Sequence, residues 1–332
     1  MKKALVFLLI FTIGSVLFAQ QRSGQDGLVY EIVYGRSVTI TKYTGNATTL
    51  NIPERIQGLP VTAIGNSAFL CCDSLTNVTI PSSVRSIGGY AFQSCSSLTS
   101  VTIPSSVTAV GLGAFSGCDS LTNVIIPSSV TTIGDWAFYN CNSLTSITVD
   151  NRNPSYASID GVLFDKNIRT IIRYPQGKNQ STYVIPSSVR SVGDYAFDGC
   201  NLANVTIPSS VTTIGDWAFF YCGSLTSVTI PSSVTAIGVG AFNSYSLTSL
   251  TVNNRNPSYA SIDGVLFDKN IRTLIRYPPG GNQSTYVIPS SVTFIGELAF
   301  LNCESLISVT LSRRTRVGES AFPETARIIY RD

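Results

Sequence analysis

The sequence predicts a solenoid: stacked 23-residue coils, each a short parallel β-strand plus a short helical turn or irregular segment, under an N-terminal β-hairpin cap. Three observations predict it. Residues 98–120 read LTSVTIPSSVTAVGLGAFSGCDS, and Leu121 opens nearly the same phrase, LTNVIIPSSVTTIGDWAFYNCNS. Aligned on Ala-Phe, the phrase recurs at Phe69, Phe92, Phe115, Phe138, Phe197, Phe219, Phe242, Phe300 and Phe322. A fixed period in the twenties marks a repeat architecture, because one such unit exposes both flanks while stacked units bury them. Within a phrase, Leu98, Val101 and Ile103 alternate with Ser100 and Thr102, the period-2 pattern of a strand with one buried face.

The rest of each coil follows from local chemistry. Pro104 has no N–H to donate and ends the ladder. Val107 and Val110 point back inward, and Gly111 permits a tight turn. Ala114, Phe115 and Cys118 stand at helical spacing, which predicts a single short helical turn.

Along the chain, residues 1–19 have the layout of a secretory signal, with Lys2 and Lys3 before an apolar run and Ala19 preceding Gln20. The run is short for a membrane span, which takes about 20 residues, so no membrane span is expected in the mature chain. Residues 20–50 are expected to form a linker and hairpin cap, with GLVYEIVYGRSVTITKYT turning near Tyr34-Gly35. The solenoid proper is expected over residues 51–332. Two irregular inserted coils interrupt it, at about 150–186 and 253–289. The inserts are near copies: Arg152 and Arg255 stand 103 positions apart, as in a duplicated block. Asp160-Gly161 and Asp263-Gly264 are expected tight turns. At the end, LSRRTRVGESAFPETARIIYRD loses the Pro-Ser-Ser phrase and gains arginines, the charged edge an exposed last coil needs.

Composition narrows function. Charged residues make up 12% and apolar residues 44% of the 332 positions. The formal charge of +3 falls to about +1 without Lys2 and Lys3, so the basic stripe that nucleic acid requires is missing. The chain has no histidine, which removes the commonest general base and metal ligand. The Asp/Asn clusters of the inserts lack calcium-loop spacing, and cysteines 23 residues apart along a rod do not converge on zinc. No cofactor or metal is expected.

The phrase Leu-x-x-Val-x-Ile-Pro-Ser-Ser-Val-x-x-Ile-Gly-x-x-Ala-Phe-x-x-Cys resembles that of the BspA-like (Treponema-type) leucine-rich repeat family of bacterial surface proteins. The likeness runs from about Gly27 to the C-terminus and includes the SIDGVLF inserts. It implies a leucine-rich-repeat solenoid and an exported protein on the cell surface, secreted or periplasmic. It also implies binding rather than catalysis, with a role in adherence to host or matrix proteins. The terminal coil departs from the pattern, as does the coil at Phe242, where Tyr245 takes the cysteine position.

Seven of eight cysteines stand three residues after the Ala-Phe phenylalanine, from Cys72 to Cys303. In-register neighbours would have Cβ atoms near 4.8 Å, beyond disulfide reach, so a column of free buried thiols is expected. Asp194 and Asp216 fall in the same slot of adjacent coils. Two close carboxylates could suggest a carbohydrate-active site, whereas a carboxylate after glycine more simply caps backbone N–H groups. Candidate partner-binding residues are the aromatics before Ala-Phe, namely Tyr90, Trp136, Tyr195 and Trp217. To these are added the outward threonines Thr79, Thr102, Thr148, Thr206 and Thr229. Packing of those aromatics on the next coil's turn and a merely solvated threonine face are the competing readings. The expected function is non-enzymatic binding of an extracellular protein or glycan, as an adhesin. A carbohydrate-binding or carbohydrate-active protein and a passive envelope protein are the alternatives.

Overall fold

A computed structural model describes residues 22–23 and 26–332. The expected leader, residues 1–19, lies outside the described residues. Each coil carries two parallel strands. Strands such as Asn77–Thr79, Ser100–Thr102, Asn123–Ile126 and Ser146–Val149 pair in register, with Asn77 opposite Ser100 and Asn123 opposite Ser146. Two-residue strands, Ser86–Ile87, Ala109–Val110 and Thr132–Ile133, form a second ladder. Val101 and Ile103 are buried while Ser100 and Thr102 are exposed, as the alternation requires.

The Pro-Ser-Ser phrase has a purpose beyond ending a strand. Val107 N–H donates to the Pro104 carbonyl at 3.0 Å, closing the corner. Ser106 Oγ donates to the Val84 carbonyl of the preceding coil at 2.6 Å, and Ser129 and Ser233 repeat the bond to Val107 and Val211. The second serine is therefore a rivet between coils.

The expected helical turn is not there; among the described residues no helix occurs. Ala114, Ser116 and Cys118 donate to the carbonyls three residues back, whereas Gly113, Phe115 and Gly117 donate to Asp135, Ala137 and Tyr139 of the next coil. A helix would keep every N–H within itself. Two left-handed residues in this turn, Gly113 at φ 57° and Gly117 at φ 71°, aim alternate N–H groups at the neighbouring coil instead. The spacing of Ala-Phe-Cys was right for burial, but stacking supplied better acceptors than a one-turn helix can.

Inside, the phenylalanines stack nearly parallel, with centroids 4.8 Å apart for Phe69–Phe92, 5.4 Å for Phe92–Phe115 and 5.8 Å for Phe115–Phe138. All eight cysteines are free. Their column is more than filler. Cys95, Cys118 and Cys141 donate S–H to the carbonyls of Phe69, Phe92 and Phe115 at 3.0–3.1 Å. Burial pushes the Cys118, Cys141 and Cys200 thiols up, keeping them protonated donors. At Phe242 the loop is one residue shorter, and the cysteine position is filled differently from the sequence expectation. Buried Ser244 donates to the Cys222 carbonyl, and Tyr245 turns outward.

The inserts are regular, correcting the expectation of irregular coils. Tyr156–Ile159 and Val162–Asp165 form a hairpin through Asp160 (φ 48°) and Gly161 (φ 77°), the doubly left-handed turn that Asp-Gly favours. A third strand, Thr170–Arg173, pairs antiparallel with the hairpin and parallel with Ser191–Val192 of the next coil. The cap has the same plan: Leu28–Val33 and Ser37–Tyr43 form a hairpin whose second strand pairs parallel with Leu59–Ile64. Tyr43, Tyr174 and Tyr277 then begin the ring stacks, lying 5.5, 5.4 and 5.1 Å from Phe69, Phe197 and Phe300. The molecule is thus three blocks, each opened by a hairpin.

The hairpins also join the blocks. Leu163 packs into the first core cluster, while its neighbours Val162 and Phe164 pack into the second. Leu266 does the same between the second cluster and the third, to which Val265 and Phe267 belong. Alternate side chains of one strand thereby face two cores. Fully buried Asn153 fastens the joint. Its Nδ2 donates to the Pro127 and Val130 carbonyls at 2.8 Å, and its Oδ1 accepts from Ser155 and Tyr156 N–H at 2.8 Å. Asn256 repeats this clamp at the second joint.

Candidate functional site

The four aromatic positions singled out in the sequence share one backbone state. Tyr90, Trp136, Tyr195 and Trp217 all lie at φ 53–58°, the first left-handed position of the double turn. Glycine fills that position at Gly113 and Gly240. A bulky side chain there costs about 1 kcal/mol relative to glycine. Part of the compensation is packing. A Cβ on Gly113 would stand 2.6 Å from the Tyr90 ring, and one on Gly240 would stand 2.5 Å from the Trp217 indole. Tyr90 and Trp217 therefore lie over the glycines of the following coils, as the competing packing reading expects. Trp136 differs, with 48% of its surface exposed.

The aromatics form a row that crosses the first joint. Trp136 and Tyr195, 59 positions apart, meet edge to face at 6.0 Å, and Tyr139 meets Tyr195 likewise at 5.9 Å. Tyr195 and Trp217 are nearly parallel at 6.4 Å, and Trp217 contacts Phe220 at 4.9 Å. Phe220, Tyr221 and Tyr245 continue the row, the last two half-exposed and stacked at 5.4 Å. Sequence reasoning looked only at the residue before Ala-Phe and so missed Tyr139, Phe220, Tyr221 and Tyr245. The residues one to three places after the phenylalanine were the available signal, since they share the same turn.

A buried cation lies behind the row. Arg173 donates to the Tyr195 carbonyl at 2.8 Å, lies 5.9 Å from the centre of the Tyr139 ring and stands 3.8 Å from the Asp198 carboxylate. It also lines a small cavity of about 180 Å³ beneath Trp136 and Tyr195. At the second joint Arg276 has no carboxylate partner among the described residues. It donates instead to the Leu298 and Leu301 carbonyls and to Asn243 Oδ1, and burial lowers it to about 10.

Burial lifts the Asp198 carboxyl from the usual 3.8 to about 6, against the pull of Arg173. Between those values the folded chain holds a proton that the unfolded chain has lost. The stabilising contribution is full below the unfolded value and disappears as pH rises through about 6. An Asp198→Asn protein, uncharged at every pH, is expected to melt close to the parent at pH 4. At pH 7.5 the difference should have moved in the variant's favour, because only the parent then carries a buried carboxylate charge. Equal differences in thermal unfolding at both pH values would refute the assignment.

The threonines are placed elsewhere. Thr79, Thr102, Thr148, Thr206 and Thr229 are exposed on the outer face of the longer strands. Thr79 pairs with Thr102, and Thr229 with Thr251. Ile125, Val184 and Val287 interrupt this row and are 65, 68 and 55% exposed. The nine expected contact residues therefore divide between two sides of each coil. Asp194 and Asp216 do not form a carboxylate pair aimed at a substrate. Asp194 Oδ1 accepts from Asp216 N–H at 2.8 Å, and Asp216 Oδ1 from Val239 N–H at 2.7 Å. Each carboxylate caps the next coil, a use that Asn66 shares through Gly89 N–H.

The repeat pattern described as BspA type leucine rich repeat region matches residues 62–176, 173–275 and 280–330, in six copies. The chain belongs to the BspA-type leucine-rich repeat family. No curated protein matches it. Among solved structures it is similar to a leucine rich cell surface protein from Faecalibacterium prausnitzii, at 32% identity and a TM-score of 0.51, covering 94% of this chain and 76% of that one. A leucine-rich repeat protein from Eubacterium ventriosum shares the fold, with 23% identity, a TM-score of 0.63 and 90 and 93% coverage. So does the pneumococcal vaccine antigen PcpA, with 19% identity, a TM-score of 0.50 and 95 and 99% coverage. This BspA-type solenoid has no helix, among its described residues, long and apolar enough to cross a membrane.

Proposed function

We propose that this BspA-type protein is exported and binds a macromolecular partner without catalysing a reaction, acting as a cell-surface adhesin for host or matrix proteins. One observation carries the reading: the aromatic contact row running from Trp136 to Tyr245 across a block joint. Tyrosine and tryptophan provide large contact area and dominate the energetics of many interfaces. The secretory layout of residues 1–19 and the cell-surface description of the F. prausnitzii relative support export. The lack of histidine and the use of Asp194 and Asp216 as backbone caps support a binding role.

The test is binding of the chain from Gln20 onward to immobilised collagen, laminin and fibronectin. A Trp217→Gly/Tyr221→Gly double variant is the probe of the row. Both residues are left-handed, at φ 53° and 49°, so glycine relieves backbone strain rather than adding it. Saturable binding that weakens at least about tenfold in the variant is the expected result, as for loss of interface anchors. No binding by the folded parent, or equal binding by the variant, would overturn the reading and favour a passive envelope role.

A further inference from the structure

The aromatic row is notched. In the coil between Tyr90 and Trp136, both left-handed positions are glycines, Gly113 and Gly117, whereas the flanking coils carry Tyr90 with Ser94 and Trp136 with Asn140. The Tyr90 ring covers Gly113, and the side chain missing at Gly117 leaves a groove of about 440 Å³, walled by Tyr90, Trp136, Tyr139 and Tyr195. Gln93, Ser94, Ser116 and Asn140 supply its polar lining, and no charged residue borders it.

These polar groups are unspent. Across the solenoid, side chains of this kind are used for stacking: Thr99 bonds Thr76, Ser106 bonds Val84 and Asn142 bonds Asp119. The side chains of Gln93, Ser94, Ser116 and Asn140 make no hydrogen bond within the described residues, nor do the Tyr90 and Tyr195 hydroxyls or the Trp136 indole N–H. A groove that keeps aromatic faces, amides and hydroxyls free, with no charge, has a definite chemical complement.

We infer that this groove binds a neutral saccharide, which deepens the partner-binding reading and rests on it. A pyranose presents an apolar C–H face for a ring such as Trp136 and a rim of hydroxyls that both donate and accept. Amide and hydroxyl side chains match that rim because they too offer donors and acceptors. An extended proline-rich segment also suits aromatic grooves. It offers carbonyl acceptors and few donors, however, and would leave the Gln93 and Asn140 amide oxygens without partners. A charged ligand would find no counter-charge. The volume lies within the range of small-ligand sites.

The experiment titrates the chain from Gln20 onward, at millimolar concentrations, with cellotetraose, mannotetraose, maltotetraose and N-acetylchitotetraose. Octaproline serves as the rival ligand, and tryptophan fluorescence and chemical-shift changes are followed. Trp136→Gly and Asn140→Gly are the groove variants, since Gly113 and Gly117 hold the same positions one coil away. Tyr34→Gly, at an exposed left-handed position of the cap hairpin, is the control away from both the groove and the row. Saturable binding of at least one tetrasaccharide is expected, weakened at least about tenfold by either groove variant and unchanged by the control. Binding of none of the four, binding of octaproline alone, or saccharide binding indifferent to both groove variants would overturn the inference. Attachment to matrix proteins that depends on Trp217 and Tyr221 would then still stand, so the two failures are distinguishable.

Discussion

Replacing Asn153 by alanine is expected to destabilise the protein by about 4 kcal/mol or more and to uncouple its first two blocks. The side chain is fully buried and makes four hydrogen bonds, two to carbonyls of the last coil of block one and two from N–H groups of the next hairpin. The Pro127 carbonyl keeps its bond from Val130 N–H at 3.2 Å, but alanine takes the clamp from the other three backbone groups, and each such loss costs about 1–3 kcal/mol when buried. The chain has only two tryptophans, Trp136 before the joint and Trp217 after it. Single-tryptophan versions can therefore report the two blocks separately during urea unfolding. Coincident transitions are expected for the parent. For Asn153→Ala, both midpoints should fall and separate, because nearest-neighbour coupling is what makes a repeat array unfold as a unit. A loss below about 1 kcal/mol, within the range of an ordinary hydrogen bond, would show that the clamp is not what holds the joint. Asp is no remedy, since a carboxylate would face the Pro127 and Val130 carbonyls.

Phe115→Ala is the second large effect. The ring is fully buried, 5.4 Å from Phe92 and 5.8 Å from Phe138, in the middle of a block where neither neighbour can close the gap. The expected cost is about 3–5 kcal/mol, from lost transfer free energy and the cavity left behind. Thr102→Ala, on the exposed strand face, is the comparison and should stay within about 0.5 kcal/mol. While the Asn153 clamp is intact the array unfolds as a unit, so Trp136 and Trp217 should report the loss together. In the Asn153→Ala background the loss should appear mainly at Trp136, and an equal shift at Trp217 there would mean that the cores cooperate without the clamp.

The sequence made the coil legible where side chains alternate. Val101 and Ile103 inward, Ser100 and Thr102 outward, and a free cysteine column all follow from spacing and size. The helical turn misled because Ala-Phe-Cys spacing reports burial, not hydrogen bonding. Left-handed Tyr90 and Trp136 are not visible in a pattern of residue types, and they decide where the N–H groups point. The kinship of cap and inserts was hidden for a similar reason: ITKYTG and TIIRYPQG share little beyond a basic residue before tyrosine. Their common hairpin shows only in strand pairing. The aromatic row was half visible, since Trp136 and Tyr195 are brought together by an insert that separates them by 59 positions. Arg173 could not be foreseen at all: its partners come from two turns far apart in the chain, Tyr139 from one and Tyr195 with Asp198 from the other.

The hairpin that opens each block has a consequence for reach. The end of block one presents to the second hairpin what the end of block two presents to the third: buried core on one side, and the two carbonyls that an asparagine bridges on the other. The joint is therefore self-compatible. Insertion or loss of one 103-residue step would create no new kind of contact and would leave both termini of the rod unchanged. Length can therefore change in whole increments while the fold stays the same, setting the spacing between the two ends of the rod without altering any coil.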